Sequence, residues 1–238
     1  MKKNVFVLIV FCCLSLMAQA QVAKFCMSYA DFVDGKWTPV EKLTEGRTLQ
    51  ACQLRTGDNY VYFRTGDKEA DKVLKRQAFA VMYGGQLYVN CRNLRCKDVP
   101  LDVSSYTQAV RYDDNKICVL AYKICSGPLL MSLGMDIAGI FVKDIVADIA
   151  LTAGSTALWI TSESLSGKVC YLLDGGANAK GKTEVTRMND EFISNLLADD
   201  NALLAKYNAV SAKRNRQSAA NVLPILMEKG LVAMNTSK

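Results

Sequence analysis

The 238-residue chain contains no histidine. This absence excludes serine–histidine–aspartate and cysteine–histidine nucleophiles, imidazole metal ligands and the side chain that most often transfers protons near neutral pH. The sequence also contains no Cys-x-x-Cys pair, no Ser-x-x-Lys signature and no glycine loop of the kind that binds phosphates. We therefore predict no catalytic, cofactor-binding or metal-binding residues, and the sequence favours a protein that is not an enzyme. The alternative is a hydrolase of an unrecognised type that works without histidine.

Proline and glycine are scarce, with 4 and 15 residues, whereas 50% of the residues are hydrophobic. This composition excludes a collagen or a disordered polymer, because the chain has enough apolar side chains to bury a core. The excess of positive charge is also small. Without Lys2 and Lys3, the chain has 27 basic and 23 acidic residues. Such a surplus favours solubility or weak attraction to anionic surfaces, so we predict no nucleic-acid partner.

The first twenty residues have the pattern of a cleaved signal peptide. Lys2 and Lys3 form a positive start, residues 5–17 are apolar, and an Ala-Gln-Ala triplet ends at Ala20. Small residues at these positions predict cleavage before Gln21. The alternative is a membrane anchor, but the apolar run is short for a spanning helix. We therefore expect a bacterial protein that is exported to the periplasm, the outer membrane or the medium.

The cysteine count permits disulfides in such a compartment. Seven of the nine cysteines follow the predicted cleavage site, so at most three bridges can form and one thiol remains. Cys91 and Cys96 lie close in sequence and are the predicted pair. The alternative is that all seven are free thiols that behave as small apolar side chains. The seven are Cys26, Cys52, Cys91, Cys96, Cys118, Cys125 and Cys170.

Residues 21–125 have the alternation and the turn residues of antiparallel strands. Gly84-Gly85 predicts a two-residue turn, because both positions tolerate a positive φ. In the resulting hairpin Tyr83 pairs with Gln86, Met82 with Leu87 and Val81 with Tyr88. By the same reasoning, Asp34-Gly35 predicts a hairpin between residues 28–33 and 36–40. A third hairpin is predicted between residues 106–112 and 116–124, and its apolar second strand should be central in the sheet.

A short repeat flanks one further predicted strand. Arg55-Thr56-Gly57-Asp58 recurs as Arg64-Thr65-Gly66-Asp67, with residues 60–63 between the two copies. A paired ligand loop is one interpretation. Two turns at the ends of one strand are favoured, since Gly-Asp is common in turns. After the second copy, residues 68–75 are predicted to form a helix capped by Asp67.

Residues 127–160 form the most apolar stretch of the mature chain, and only four of its residues are charged. On a helix those four residues lie within an arc of about 140°, which leaves a wide apolar face. This pattern favours a helix or helical hairpin packed on the sheet, mainly against residues 117–124. A membrane-inserting or interfacial segment is the alternative, whereas a single span is disfavoured because the charges interrupt it. The four residues are Asp136, Lys143, Asp144 and Asp148.

The C-terminal part is predicted to contain a hairpin and then helices. Residues 168–173 and 183–187 are the two predicted strands. Asn189 should cap a helix, and Met188 and Ile193 should pack together at its start as a hydrophobic staple. Residues 199–201 should open a second helix.

Two further features of this region concern the last helices. Pro224 is expected to break or kink a helix that ends at Gly230. The basic side chains Lys206, Lys213, Arg214 and Arg216 could form a recognition helix, but a solvated face is favoured.

The predicted fold class is therefore α+β, with N-terminal antiparallel hairpins, central apolar helices and a C-terminal hairpin with helices. The predicted regions are a signal peptide (1–20), a β-rich region (21–125), an apolar helical segment (126–162) and a C-terminal region (163–238).

This order of elements resembles that of uncharacterised exported proteins of Gram-negative bacteria. The resemblance is carried by residues 78–90, the Tyr171-Leu172-Leu173-Asp174 strand and the helix around residues 203–207. It implies no activity and no site residue. We expect a non-catalytic interaction or structural module of the bacterial envelope, whose partner is another envelope protein or a membrane surface. The alternative is an envelope protein that associates with the membrane through residues 127–160.

Overall fold

The computed structural model describes residues 23–48, 60–97, 99–101, 105–113, 115–122, 165, 167–177 and 182–232. The strands are β1 (Ala23–Cys26), β2 (Thr38–Val40), β3 (Thr44–Thr48), β4 (Tyr60–Arg64), β5 (Ala80–Tyr83), β6 (Gln86–Asn90), β7 (Leu94–Cys96), β8 (Val99–Pro100), β9 (Tyr106–Arg111), β10 (Ile117–Tyr122), β11 (Lys168–Leu173), β12 (Thr183–Glu184) and β13 (Thr186–Arg187). The helices are α1 (Tyr29–Val33), α2 (Lys68–Arg76), α3 (Asp190–Leu196), α4 (Asn201–Asn208), α5 (Lys213–Arg216) and α6 (Ala219–Glu228). The fold class is α+β, as the sequence predicts.

One antiparallel sheet of ten described strands organises the fold. Its order is β13-β11-β10-β9-β6-β5-β1-β2, and β9 also pairs with β4, which carries β3. The β10 strand lies between β9 and β11, and all of its side chains except Tyr122 are buried, so its predicted central position is confirmed. Tyr122 is paired with Lys168, the first residue of β11. Strand β10 therefore ends at the position where β11 starts beside it.

A second sheet has three strands in the order β12-β7-β8. Thr183 of β12 pairs with Leu94 of β7, and these two strands run parallel. Thr186 in β13 instead pairs with Leu172 in β11. The predicted return strand 183–187 is therefore divided at Val185 between two sheets. Because Val185 is buried, the division lies inside the fold.

The Gly84-Gly85 hairpin is confirmed, including its register. Tyr83 pairs with Gln86, Met82 with Leu87 and Val81 with Tyr88. The φ angles of the two glycines are +55° and +77°. Positive φ at both central positions defines the turn that matches the twist of adjacent strands.

The Asp34-Gly35 hairpin is wrong, because the residues before the turn form helix α1 rather than a strand. The Ser28 side chain caps this helix by accepting a hydrogen bond from the Asp31 backbone N–H at 3.0 Å. The helix buries Phe32. Gly35 still adopts a φ of +69°, but it follows a helix end instead of joining two strands. The strand that pairs with β2 is β1, on the other side of α1.

The third hairpin is confirmed as β9 and β10, with Ile117 paired with Arg111. Strand β4 is also confirmed between the two copies of the Arg-Thr-Gly-Asp repeat. Asp67 of the second copy caps α2, as predicted. The first copy lies outside the described residues.

Three buried clusters form the core on the two faces of the sheet. Tyr106 and Val110 lie four residues apart in β9 and therefore share a face, whereas Ala109 lies on the other. Val110 belongs to the C-terminal core, which α3, α4 and α6 cover. Tyr106 belongs to the α2 core, whose other members are Val61, Phe63, Leu74, Ala78, Val81 and Tyr88. Ala109 belongs to the opposite core, which includes Phe32, Phe79, Leu87, Ile117, Val119, Tyr171 and Leu173.

The predicted caps of the C-terminal helices are confirmed. The Asn189 side chain accepts from the Phe192 N–H at 2.8 Å, and the Asp200 side chain accepts from the Leu203 N–H at 3.0 Å. Met188 and Ile193 are both fully buried in the C-terminal core, as a hydrophobic staple requires. These local signals therefore fix the starts of α3 and α4.

Pro224 lies inside α6, so a break at this residue is wrong, and a kink there stays a prediction. A proline in a helix interior costs about 3 kcal/mol. The four buried neighbours Val222, Leu223, Ile225 and Leu226 each contribute about 1.5–3 kcal/mol by leaving water. Burial therefore outweighs the cost of proline. The helix ends as predicted before Gly230, whose φ is +78°.

The apolar stretch 127–160 lies outside the described residues, so its predicted helix stays a prediction. Within the described parts of the chain, no helix has both the length and the apolar composition that crossing a bilayer requires.

Candidate binding groove

A groove of about 620 Å³ lies between helix α2 and the strand pair β1–β2. The α2 side carries Ala70, Val73 and Leu74, with Thr65 and Asp67 just before it. The β side carries Phe25, Pro39, Val40, Glu41 and Lys42. We call this surface the α2 groove.

The first wall is α2, and its start is fixed by side chains at the end of β4. Asp67 accepts hydrogen bonds from the N–H groups of Glu69 (3.1 Å) and Ala70 (2.8 Å). Asp71 then reaches back and accepts from the Thr65 backbone N–H at 2.6 Å and from its hydroxyl at 2.9 Å. These hydrogen bonds, the backbone one foremost, lower the pKa of Asp71. The Asp67 cap and the Asp71–Thr65 hydrogen bonds together fix where α2 starts after β4.

The C-terminal end of α2 is held from below by two buried side chains of the sheet. Asn90 donates to the carbonyls of Ala78 at 2.9 Å and Leu74 at 3.4 Å. The Tyr106 hydroxyl donates to the same Leu74 carbonyl. Burial raises the pKa of Tyr106, so this hydroxyl keeps its proton and remains a donor. The helix is therefore anchored at both ends, and the width of the groove is set by the fold.

The second wall is the edge strand β2. Lys24 of β1 pairs with Pro39, and β2 is the last strand in the order of the sheet. Proline is tolerated at such an edge because its missing N–H faces away from the sheet. Pro39 therefore disfavours the addition of a further strand beside β2. A partner would have to contact the groove through side chains.

The α2 groove is lined by apolar side chains and by charged ones, and we call the charged ones its rim. Phe25, Val40 and Val73 are half-buried, so their apolar surface remains accessible to a partner. The rim carries exposed charges of both signs from Glu41, Lys42 and Asp67. A volume of this size is within the range of small-molecule sites, which are also mostly apolar with a few polar groups. Such a surface can hold apolar side chains of a partner, while its charged residues pair with charged groups beside them.

A second, smaller recess of about 220 Å³ lies beside α1. Met27, Tyr29 and Phe79 line it together with Lys182 and Thr183. Met27 is 40% exposed, which is unusual for a large apolar side chain in the described part of this fold. The recess holds little more than one side chain, so the α2 groove is the better candidate for a partner.

A cluster of ionic contacts in the C-terminal region holds helices together. Arg216 donates to both oxygens of Asp190 at 2.8 and 3.1 Å, and the Tyr207 hydroxyl donates to Asp190 at 3.1 Å. The hydrogen bond from Arg216, foremost, lowers the pKa of Asp190. Since these residues connect α3, α4 and α5, the cluster supports packing. Of the four predicted basic residues, Arg216 is thus an internal partner. Lys206, Lys213 and Arg214 are exposed, and Lys213 and Lys206 pair at the surface with Asp190 and Glu228.

The predicted disulfide residues Cys91 and Cys96 are both thiols in this structure. Cys91 is buried after β6 and donates to the Val89 carbonyl at 3.8 Å. Cys96 is half-buried at the end of β7 beside Arg187, and partial burial raises its pKa. A disulfide between the two stays a prediction.

The α2 groove was not predicted from the sequence, because its walls come from residues about 30 positions apart. One signal was available: the predicted helix 68–75 places Ala70, Val73 and Leu74 on one face, which must lie against something. The sequence alone does not indicate that β2 is the opposite wall. In the described residues, no three cysteine, aspartate or glutamate side chains gather where they could hold a metal ion.

Comparison with known proteins gives one match. The model of a family of unknown function, DUF6563, matches residues 24–232. No curated protein and no solved structure matches the chain.

Proposed function

Because the chain belongs to the DUF6563 family, for which no activity is indicated, we propose its function from the sequence and the groove. The protein is an exported interaction module of the bacterial envelope, and it binds apolar side chains of a partner protein in the α2 groove. The observation that carries the proposal is the groove itself, with accessible apolar side chains between two walls that the fold holds in place.

Export is supported by the sequence before the domain. Lys2, Lys3 and the apolar residues 5–17 have the composition of a signal peptide, and the Ala-Gln-Ala triplet ends at Ala20. The family match starts at residue 24, just after the proposed cleavage site. This boundary is consistent with a leader that is removed before the domain.

A protein partner is favoured over a lipid by the charges on the rim. Anionic lipid surfaces attract clusters of basic residues. The rim instead carries Lys42 together with the acidic side chains of Glu41 and Asp67. This mixture fits a partner segment with an apolar side chain and neighbouring charges of both signs.

The first experiment determines where the protein goes. The full chain is expressed in a Gram-negative host, and the purified product is analysed by intact mass and N-terminal sequencing. We expect a product that starts at Gln21 and stays soluble after a high-salt wash of the envelope fraction. A product that retains Met1 contradicts export. A mature product that remains with the membranes supports the alternative, membrane association through residues 127–160.

The second experiment tests the groove as the contact surface. A photoreactive phenylalanine analogue is placed at position 70, in the groove, or at position 69, on the exposed side of the same helix turn. Light should produce a discrete protein adduct from position 70 and none from position 69. Equal adducts from both positions, or none from position 70, contradict the proposal.

A third measurement uses the purified protein and an apolar dye, anilinonaphthalene sulfonate, which gains fluorescence at apolar surfaces. Ala70→Trp fills the groove, while Glu69→Trp adds the same side chain to the solvent side. We expect the dye signal to fall at least several-fold in Ala70→Trp only, with both variants melting near the wild-type temperature. An unchanged signal in Ala70→Trp shows that the groove is not the apolar surface.

A further inference from the structure

Two fully buried thiols lie next to each other on the central strands of the sheet. Cys118 in β10 pairs with Leu172 in β11, and Leu120 pairs with Cys170. The two cysteines are therefore diagonal neighbours, two register positions apart. Since residues two apart in a strand share a face, both side chains enter the C-terminal core. Both are completely buried there.

This arrangement places the two side chains on one face of adjacent strands before any reaction. In a flat sheet, diagonal neighbours are further apart than directly opposite ones. The twist of adjacent strands shortens one of the two diagonals. The Cys118 side chain is the first cause of the raised pKa of Cys170, which supports a close approach of the two thiols along this diagonal. A bond between them would join two strands that are already paired.

The same surroundings make the pair unreactive in the folded protein. The neighbouring Cys118 side chain and complete burial raise the pKa of Cys170 well above its ordinary value. The thiolate is the nucleophile in disulfide exchange, and the oxidant must also reach the sulfur. Reaction is therefore fast only while β10 and β11 are still exposed, during folding.

We propose that Cys118 and Cys170 form a disulfide between β10 and β11 when the chain folds in an oxidising compartment. The proposal rests on the proposed export for its cellular setting. The oxidant is a disulfide, either a small-molecule disulfide or a protein one. The Cys118 thiolate attacks it and releases one thiolate; the Cys170 thiolate then attacks the Cys118 sulfur of the mixed disulfide and releases the second. The two protons lost by the cysteines neutralise the two thiolates released, so the oxidant is reduced to two thiols.

The first experiment refolds the purified chain, without residues 1–20, from denaturant in a mixture of reduced and oxidised glutathione. Remaining thiols are alkylated at low pH, and the protein is digested with trypsin. Cleavage after lysine and arginine places Cys118 in residues 117–123 and Cys170 in residues 169–180, each as the sole cysteine of its peptide. We expect these two peptides to be recovered as one linked species that dithiothreitol separates.

Several outcomes decide the assignment. Recovery of both peptides with alkylated thiols, from protein that has refolded, overturns the proposal. Linkage of either peptide to residues 124–143, which contain Cys125, also overturns it. A Cys91–Cys96 disulfide would instead join residues 77–92 to residues 96–97, so the two bridges are read independently.

The order of folding and oxidation is tested separately. Protein that has first refolded with dithiothreitol is transferred to oxidised glutathione without denaturant. We expect the linked species to form at least tenfold more slowly than during oxidative refolding. Equal rates overturn the inference that burial protects the pair.

Stability gives an independent measurement. Oxidised wild-type protein should unfold at a higher urea concentration than reduced protein, and Cys118→Ala/Cys170→Ala should lose most of this difference. The matched variant Cys91→Ala/Cys96→Ala should retain it. If the first variant does not fold, the tryptic linkage still decides.

The cellular experiment separates this proposal from export. The chain is recovered from a Gram-negative host with residues 1–20 present or deleted, and thiols are trapped at harvest. Linkage in the chain that starts at Gln21, with free thiols in the chain that lacks the leader, is the expected result. Linkage in vitro together with an unprocessed, unlinked cellular product overturns export and leaves the thiol pair standing.

Discussion

Asn90 connects the sheet to α2, and its replacement should weaken the whole domain. The side chain is 1% exposed. Its amide group donates to the carbonyls of Ala78 and Leu74, and its oxygen accepts from the Arg92 N–H at 3.1 Å. In Asn90→Ala the Ala78 carbonyl loses this donor inside the protein, whereas water can reach the backbone of exposed Arg92. A buried polar group without a partner costs about 1–3 kcal/mol.

The Leu74 carbonyl changes less, because the Tyr106 hydroxyl still donates to it. Adding about 1 kcal/mol for the lost hydrogen bonds, we expect Asn90→Ala to lower the free energy of unfolding by about 2–4 kcal/mol. For a protein of this size, each kcal/mol corresponds to about 2–4 °C in melting temperature. The melting temperature should therefore fall by roughly 4–16 °C.

The assay is thermal and urea unfolding of wild type, Asn90→Ala, Tyr106→Phe and the double variant. Because Asn90 and Tyr106 share the Leu74 carbonyl, the double-mutant cycle should give a coupling of at least about 0.5 kcal/mol. Asn208→Ala, at an exposed position of α4, is the matched control and should stay within about 0.5 kcal/mol of wild type. An Asn90→Ala variant as stable as this control would refute the reasoning.

Three other predictions concern the ionic cluster and two glycines. Because Arg216 lowers the pKa of Asp190 below its ordinary value of 3.8, the pair stabilises the fold above that pH and loses its contribution as the pH falls through the lowered value. Asp190→Asn should therefore be about 1.5–3 kcal/mol less stable than wild type at pH 6, and melting curves should converge below pH 3.8; a constant difference down to pH 2 contradicts this. Gly175→Ala should cost about 1–2 kcal/mol from its φ of +88°, plus displacement of the Tyr29 ring that the new methyl group would overlap. Gly66→Ala, with a φ of +90° and open space around it, is the control, and equal losses of melting temperature would show that the Tyr29 contact is unimportant. Gly46→Ala should displace the Tyr62 ring and lower the melting temperature, while Gly46→Ala in a Tyr62→Ala background should have little further effect.

The features predicted correctly from the sequence are those whose cause is local. The glycines at 84 and 85 determine a turn by their own backbone freedom, and the turn then fixes the register of β5 and β6. Asn189 and Asp200 cap helices through hydrogen bonds three residues away. Neither signal needs information about the rest of the chain.

The predictions fail where one local sequence pattern fits two structures. They also fail where packing against residues distant in sequence determines the structure. Asp34-Gly35 is equally suited to a hairpin and to the end of a helix, and only the Ser28 cap distinguishes them. At Pro224, burial in the C-terminal core outweighs the local preference. The α2 groove depends on strand order, which the spacing of residues does not specify. Cys118 and Cys170 were likewise brought together by the pairing of β10 with β11, over 52 positions of sequence.

The return of the chain from Tyr122 to Lys168 has a consequence for the order of folding. β9 and β10 are joined by the five residues 112–116, whereas 45 residues separate β10 from β11. Closing the longer loop costs roughly 2 kcal/mol more in chain entropy. The β9–β10 hairpin should therefore form early, and β11 should be added late. Until then the outer edge of β10 has no partner strand, and the interval in which that edge is open sets the time available for chemistry at Cys118.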